Sequence, residues 1–444
     1  MRLRKTITTI VATAILLAGW QLFAVIANQP ELIPSLPRLV RTLCEWLVSG
    51  SFYQSVGATI FRGILGMSIS FVCAIGMAGL FARFEWVYEL FRPLLAIMRS
   101  IPVISFILLA LIFLNPESIP LMIAFLTMFP LLTENLTRGI LDLRPGLSIM
   151  ARQFHIKRSN VLFQIIYPQL KPFLYSGLAS AAGFGWRAII MGEVLSQCAF
   201  GIGSEMKRAQ NFIAVPELLA WTIVAVFISF FFDKGISKVA DITPKISFAN
   251  EDQTIPTPTL SVLDTKDISY QYGIQHFSHS FQKGIIYGIS APSGKGKTTL
   301  LNLIGGILLP TEGEIHPTRH FGIATIFQQP QLLPHLTAEE NIILPLSSFL
   351  TEEKARRIAQ KHLQEMEMEP FGNRYPKELS YGQQQRIAIA RALAYPSPLL
   401  LMDEPFKGLD EALSHRIIER IREKQMKEER IILFTSHNPD EIRL

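Results

Sequence analysis

Residues 285–304 read IIYGISAPSGKGKTTLLNLI: a short apolar strand, a Gly-rich loop and the opening turns of a helix. Gly294 and Gly296 let the backbone curl so that its N–H groups point at phosphate oxygens. Lys297 brings a positive charge to terminal phosphates, and the Thr298 hydroxyl suits Mg²⁺. The helix N-terminus adds its dipole. The expected ATP-binding set is Ala291, Pro292, Ser293, Gly294, Lys295, Gly296, Lys297, Thr298 and Thr299. The pattern G-x-x-x-x-G-K-[ST] opens with Gly, and here Ala291 stands there. Read alone, the loop has a plain rival, a Gly-rich turn without function.

A second stretch, LLLMDEP (399–405), is an apolar strand ending in two acids. Asp403 is placed to hold Mg²⁺, and Glu404 to orient or deprotonate an attacking water. An isolated acid pair of this kind is usually a solvated strand end. Around both stretches short apolar strands alternate with polar helices, as in a parallel α/β domain.

The order of further motifs resembles the ABC-type ATPases. ELSYGQQQRIAIARALA (378–394) resembles their LSGGQ signature: Leu379, Ser380, Gly382 and Gln383 match, and Tyr381 replaces the first Gly. IFQQPQLLPHLTAEENI (326–342) looks like the Q-loop, with Gln328 as its glutamine. FKGLD (406–410) looks like the D-loop with Asp410, and LFTSHN (433–438) supplies His437 as the switch histidine. YQYG (270–273) resembles the adenine-stacking aromatic, with Tyr272 fitting better than Tyr270. The resemblance implies Glu404, His437 and Gln328 as catalytic residues, and Thr298, Gln328 and Asp403 around Mg²⁺. Only seven residues follow His437, so no C-terminal regulatory domain is expected.

The other half is of a different kind. The 444 residues are 49% hydrophobic and only 18% charged, too apolar for a wholly soluble protein. Six transmembrane helices are expected near 6–27, 63–82, 100–114, 118–133, 172–186 and 218–232; the first is read as a retained span, not a cleaved signal. In the second, Gly66, Ser70, Ala74, Ala78 and Ala82 form a small-residue stripe that lets another helix approach. The net charge of +6 lies mostly beside span ends, which argues for topology and against a nucleic-acid surface. Arg138, Arg144, Arg152, Lys157 and Arg158 in one loop, with Lys234, Lys238 and Lys245, put the N-terminus, that loop and everything after 240 in the cytoplasm. The three cysteines show neither a metal spacing nor a disulfide framework.

The expected fold is therefore an all-α polytopic membrane domain (1–240), a Pro-containing linker (241–260) and an α/β P-loop ABC ATPase domain (261–444). IMARQFHIKRSNVLFQIIYPQL (149–170) resembles the cytoplasmic EAA coupling loop of importer permeases through Ala151, Ile165 and Pro168. His155 stands where that pattern has Gly and is read as a neutral replacement in preference to a pH reporter. Together with RSIPVISFILLALIF (99–113), MFPLLTENLTRGI (128–140) and GWRAIIMGEVL (185–195), it makes the first half similar to permeases of the nitrate, sulfonate and taurine branch. Arg187 and Glu193, six residues apart in or near the fifth span, are expected either to line a pathway, touching an anionic substrate or forming a gate, or to be a structural pair or interfacial positions.

The family sandwiches ATP between the phosphate loop of one ATPase and the signature of another. One chain holds one of each, so the resemblance implies a homodimer with two ATP sites. An ATP-driven importer in a bacterial inner membrane, working with an extracytoplasmic solute-binding protein, is the leading expectation. The cargo would be a small solute, with anionic, nitrogen- or sulfur-containing compounds and vitamin precursors as candidates. An exporter half-transporter and a non-transporting membrane-anchored regulatory ATPase are the rivals. Short loops near 83–90 and outside the membrane count against both.

Overall fold

The computed structural model of the chain describes residues 2–240, 243–253, 260–271, 273–292, 294–317 and 322–436. They pack as two compact units: Met1–Leu143 with Leu170–Thr243, and Arg144–Gln169 with Pro244–Leu444.

The first unit is helical. It contains α1 (Arg2–Ala27), α2 (Leu36–Trp46), α3 (Gly50–Arg83), α4 (Glu85–Ser100), α5 (Val103–Phe113) and α6 (Ile119–Leu141). Next in the chain come α7 (Pro145–Gln153) and α8 (Arg158–Asn160), which belong to the second unit, and then α9 (Tyr167–Ser196), α10 (Ile202–Asn211) and α11 (Val215–Ala240). Among the described residues four helical stretches are long and apolar enough to cross a bilayer: Gly50–Arg83, Pro116–Leu141, Arg158–Ser196 and Val215–Ala240. A fifth candidate is the pair α4–α5, bent by 94°. The bend falls at Ile101, which is extended (φ −72°, ψ 129°) because the ring of the following Pro102 disfavours helix there. The apolar run of α1, Val11–Ala27, is shorter than a span.

The small-residue stripe of α3 faces inward. Ser55, Thr59, Gly63, Gly66, Ser70, Ala74 and Ala78 are buried, while Ile64, Val72 and Ile75 are exposed, as lipid contact requires. A Cβ at Gly66 would lie 2.7 Å from the Ala124 Cβ of α6, so the two backbones meet at that level. The stripe does not run to Ala82, which is exposed; Phe81 takes the buried position one residue earlier.

The second unit is α/β. An antiparallel sheet, in the order β2–β1–β4, joins β1 (Val262–Tyr270), β2 (Ile274–Gln282) and β4 (Glu312–His316). A parallel sheet, in the order β3–β7–β6–β5, joins β3 (Ile286–Ile289), β5 (Ala324–Ile326), β6 (Leu399–Asp403) and β7 (Ile431–Thr435). Its helices are α12 (Lys297–Ile304), α13 (Ala338–Leu346), α14 (Glu352–Glu365), α15 (Tyr381–Ala394) and α16 (Glu411–Glu428). Strands β6 and β7 are buried at every position, the continuous apolar pattern of a sheet covered on both faces.

By packing, this unit takes in more than residues 261–444. Leu147, Met150, Phe154 and Ile165 of the 144–169 segment are buried in one core with Ile326, Leu333, Ile342 and Phe434. Part of the expected linker is strapped down as well. Ala249 N–H donates to Ser347 O at 3.0 Å and Gln253 N–H to Phe349 O at 2.9 Å, and Ile246 and Phe248 pack against the same core. Residues 241–242 and 254–259 of that segment lie outside the described residues.

Candidate functional site

The Gly-rich loop leaves β3 and enters α12. Gly294 and Gly296 both take left-handed φ, +80° and +81°. A side chain at Gly296 would also strike Gly273 O at 2.8 Å, so the turn needs glycine twice over. Lys297 is the first residue of α12 and is buried; its ammonium donates to the carbonyl of Ala291. Ser293 of the expected set lies outside the described residues, as do Tyr272 and His437.

The acid pair ends β6 next to this helix. Asp403 Oδ2 accepts from Thr298 Oγ1 at 2.9 Å, and Asp403 Oδ1 from Thr435 Oγ1 at 2.8 Å. Glu404 turns out of the strand at φ +48°, a backbone state that costs a non-Gly residue energy. Its N–H donates to Thr435 Oγ1 at 3.1 Å. Gln328 Nε2 lies 3.4 Å from Glu404 Oε2 and Lys407 Nζ 3.2 Å from the same oxygen. The carboxylate raises the pKa of the Lys407 ammonium. Hydroxyl, carboxylate and amide oxygens gather around a cavity of about 270 Å³ lined by Thr298, Gln328 and Asp403. This hard-oxygen set fits Mg²⁺.

The signature residues open α15. Ser380 caps the helix, accepting from Gln383 N–H while the Gln383 side chain accepts from Ser380 N–H, so Leu379 and Ser380 are held in place. Tyr381 donates to the Gln328 carbonyl at 2.8 Å. Gly382 sits where a Cβ would meet Gly408 O at 2.7 Å. Asp410 caps α16, accepting from Leu413 N–H.

Sequence reading passed over Arg391, on the far end of α15. It is fully buried, donates to Gln331 O at 2.9 Å and Pro330 O at 2.8 Å, and lies over the Phe154 ring at 5.4 Å. Burial pushes its pKa down to about 9. The Q-loop, the signature helix and the 144–169 segment thus meet at one guanidinium.

That segment is fastened by amide side chains. Gln153 Nε2 donates to Gly305 O at 2.8 Å, and Ile323 N–H to Gln153 O at 2.7 Å. Asn160, fully buried, donates to Ser247 O and Ser347 Oγ, both at 2.8 Å, and accepts from Ser247 N–H at 2.9 Å. Ala151 is buried in the core. His155 has φ +45°, a backbone state that glycine adopts most readily, and burial lowers its pKa. Pro168 lies inside the helical stretch Arg158–Ser196, just after the wide π-turn Val161–Ile166.

In the helical unit Arg187 and Glu193 do not pair. Arg187 is exposed. Glu193 is fully buried, accepting from Arg62 at 2.7 Å, Thr59 at 2.9 Å and Gly203 N–H at 2.9 Å. Arg62 also reaches Glu117 at 2.6 Å, so one cluster ties α3 to α9, to the turn before α6 and to the start of α10. Arg62 was missed because it stands 131 residues from Glu193.

Residues 66–233 match the family of binding-protein-dependent transport system inner membrane components, and residues 274–407 match the ABC transporter family. The thiamine import ATP-binding protein of Yersinia pseudotuberculosis is 36% identical over 194 residues, 40% of this chain and 81% of that protein. The chain belongs to the ABC transporters. This transporter joins permease and ATPase in one polypeptide, and the ATPase domain binds ATP and hydrolyses it in support of transport. An uncharacterized ABC transporter ATP-binding protein of Methanocaldococcus jannaschii is 35% identical over 187 residues, covering 38% of this chain and 80% of that one. The Fe(3+) ions import ATP-binding protein of Rhizobium etli is 36% identical over 38% of this chain, and the transporter spans only 50% of its length. A solved dimeric ATP-binding cassette bound to ADP and Pi is 32% identical over 41% of this chain and 90% of that chain, with a TM-score of 0.39.

Proposed function

We propose that two copies of this chain form an ATP-driven importer of a small solute in a bacterial inner membrane, fed by an extracytoplasmic solute-binding protein. The observation that carries the reading is the pairing of a binding-protein-dependent permease with an ABC ATPase in one chain. The burial of the 144–169 segment in the ATPase core supports it. The N-terminus and ATPase face the cytoplasm, following the Lys and Arg distribution.

The signature of one copy closes over the phosphate loop of the other. Lys297 and the N–H groups at the start of α12 hold the phosphates of ATP, and Ser380 and the backbone at Gly382 reach the γ-phosphate from the partner side. Thr298, Asp403 and Gln328 would hold Mg²⁺, which would supply positive charge beside the phosphate oxygens. Glu404 orients the attacking water and takes up its proton. Gln328, beside both Glu404 and the Q-loop carbonyls that Arg391 grips, passes the state of the site to the 149–160 segment. Importer-type relatives are named for thiamine, iron and spermidine/putrescine, so their names do not agree on a cargo.

The test is reconstitution in vesicles with candidate binding proteins, and mass spectrometry of whatever ligand co-purifies with them. ATP-dependent uptake that requires the binding protein is expected. Glu404→Gln should bind ATP and lose several decades of hydrolysis, roughly the scale of general-base removal. Expulsion of solute without any binding protein would replace the importer with an exporter. Wild-type turnover in Glu404→Gln would remove Glu404 from its role.

A further inference from the structure

We infer that Tyr381, the residue that departs from the signature pattern, positions the signature against the Q-loop of its own chain and so couples the two ATP sites of the dimer. The inference rests on the sandwich reading above. Its hydroxyl donates to the Gln328 carbonyl at 2.8 Å, across 53 residues of sequence. Its ring lies on Gly408, where a Cβ would come within 2.8 Å of the ring. Gly408 has φ +80°, so the D-loop supplies both the turn and the space that this tyrosine needs.

The bond closes a circuit of contacts. Tyr381 holds the backbone of Gln328; the Gln328 side chain lies 3.4 Å from Glu404; Glu404 pairs with Lys407 at 3.2 Å; and Lys407 precedes Gly408, on which the tyrosine ring rests. A glycine at 381 could make neither the hydrogen bond nor the ring contact. At the other end of α15, Arg391 grips Pro330 O and Gln331 O. The signature helix is therefore fastened to the Q-loop at both ends, and Tyr381 is the fastening nearest the residues that face the partner's ATP.

The functional consequence follows from the two-fold arrangement. Gln328 belongs to the chain's own ATP site, whereas Ser380 and Gly382 complete the partner's. A rigid link between them makes nucleotide at one site reposition the signature at the other, which is positive cooperativity between identical sites. The link acts through Gln328 and the signature backbone, so Tyr381 is a positioning residue.

The test uses the full-length protein in nanodiscs, with ATP hydrolysis measured against ATP concentration for wild type, Tyr381→Phe and Ser380→Arg. Tyr381→Phe keeps the ring on Gly408 and removes only the hydroxyl. It should lower the Hill coefficient toward 1 and raise the half-saturating ATP concentration about threefold to tenfold, the scale of one hydrogen bond. The maximal rate should stay within about twofold, because no group touching ATP has changed. A fold defect would instead lower the maximal rate and leave the Hill coefficient alone. If Ser380→Arg is inactive while Tyr381→Phe retains wild-type cooperativity and affinity, the coupling role is overturned and the sandwich stands. If Ser380→Arg hydrolyses ATP normally, the sandwich reading fails and the inference fails with it. Hyperbolic kinetics in the wild type would also overturn the inference.

Discussion

Replacing Asn160 with alanine should loosen the 144–169 segment from the ATPase core. Asn160 makes three hydrogen bonds, two to the Ser247 backbone and one to the Ser347 hydroxyl. The bonds are unequal. Ser247 is exposed, so water can replace the lost side chain there, and each of those two bonds contributes about 0.5 kcal/mol. Ser347 is fully buried, and its bond contributes about 1 kcal/mol or slightly more. The hydroxyl keeps a bond to Leu344 O at 2.6 Å, which limits the loss. The sum is about 2 kcal/mol, or roughly a 30-fold change in the docking equilibrium. Hydrogen–deuterium exchange with mass spectrometry on the full-length protein reads this directly. Protection of amides in 158–166 should fall by about that factor, while β6 and β7, whose protection depends on global stability, change much less. Transport per ATP hydrolysed should fall in parallel. An exchange rate within about threefold of wild type would refute the reasoning, because the amide would then contribute nothing to docking.

Gly66→Leu should destabilise the helical unit by about 1–3 kcal/mol or more, since its Cβ would meet Ala124 at 2.7 Å. Gly76→Leu, with nothing within 4 Å, should leave the thermal midpoint in detergent near wild type and serves as the control. His362 gives a pH prediction. It is buried with the Lys424 ammonium 3.1 Å from Nε2 and the Glu365 carboxylate 2.6 Å from Nδ1, and burial, with help from Lys424, lowers its pKa to about 3. The unfolded chain binds the proton near its ordinary value, so between about 6.5 and 3 the unfolded state holds more protons and stability falls as pH falls. At pH 5.5 the loss is about 1.3 kcal/mol relative to pH 7, and His362→Gln should flatten that part of the ATPase domain's unfolding profile. An equally steep profile in the variant would show that other groups govern it.

What the sequence displayed was chemistry held within short stretches. The turn at 294–297 and the acids at 403–404 announce themselves because phosphate and Mg²⁺ demand particular residues at fixed local spacing. The structure brings Thr298 and Asp403 within 2.9 Å because β6 lies in the sheet beside the helix that carries the threonine. The residues that fasten elements together left no such trace. Asn160, Arg391 and Arg62 bond mostly to backbone carbonyls or to side chains far along the chain, and a carbonyl has no letter in the sequence. The 244–253 stretch read as linker because its polar, Pro-containing composition is what a linker has; its partners, Asn160 and the end of α13, become visible only with the fold. The bend between α4 and α5 was hidden for the opposite reason. Pro102 is in plain view, but the uncharged run of about 15 residues around it reads, once extended into its flanks, as a single span, although it is shorter than the roughly 20 a span needs.

The strap formed by residues 244–253 has a practical consequence. Separate permease and ATPase subunits would have to find one another from solution, and their docking surface would need an affinity matched to cellular concentrations. Here the partner is tethered a few residues away, at an effective concentration on the order of millimolar. Docking need only be favourable against that local concentration. The tether also means that damage at Asn160 or Gln153 would pass unseen in any pull-down, because the two halves would arrive together however poorly they engage.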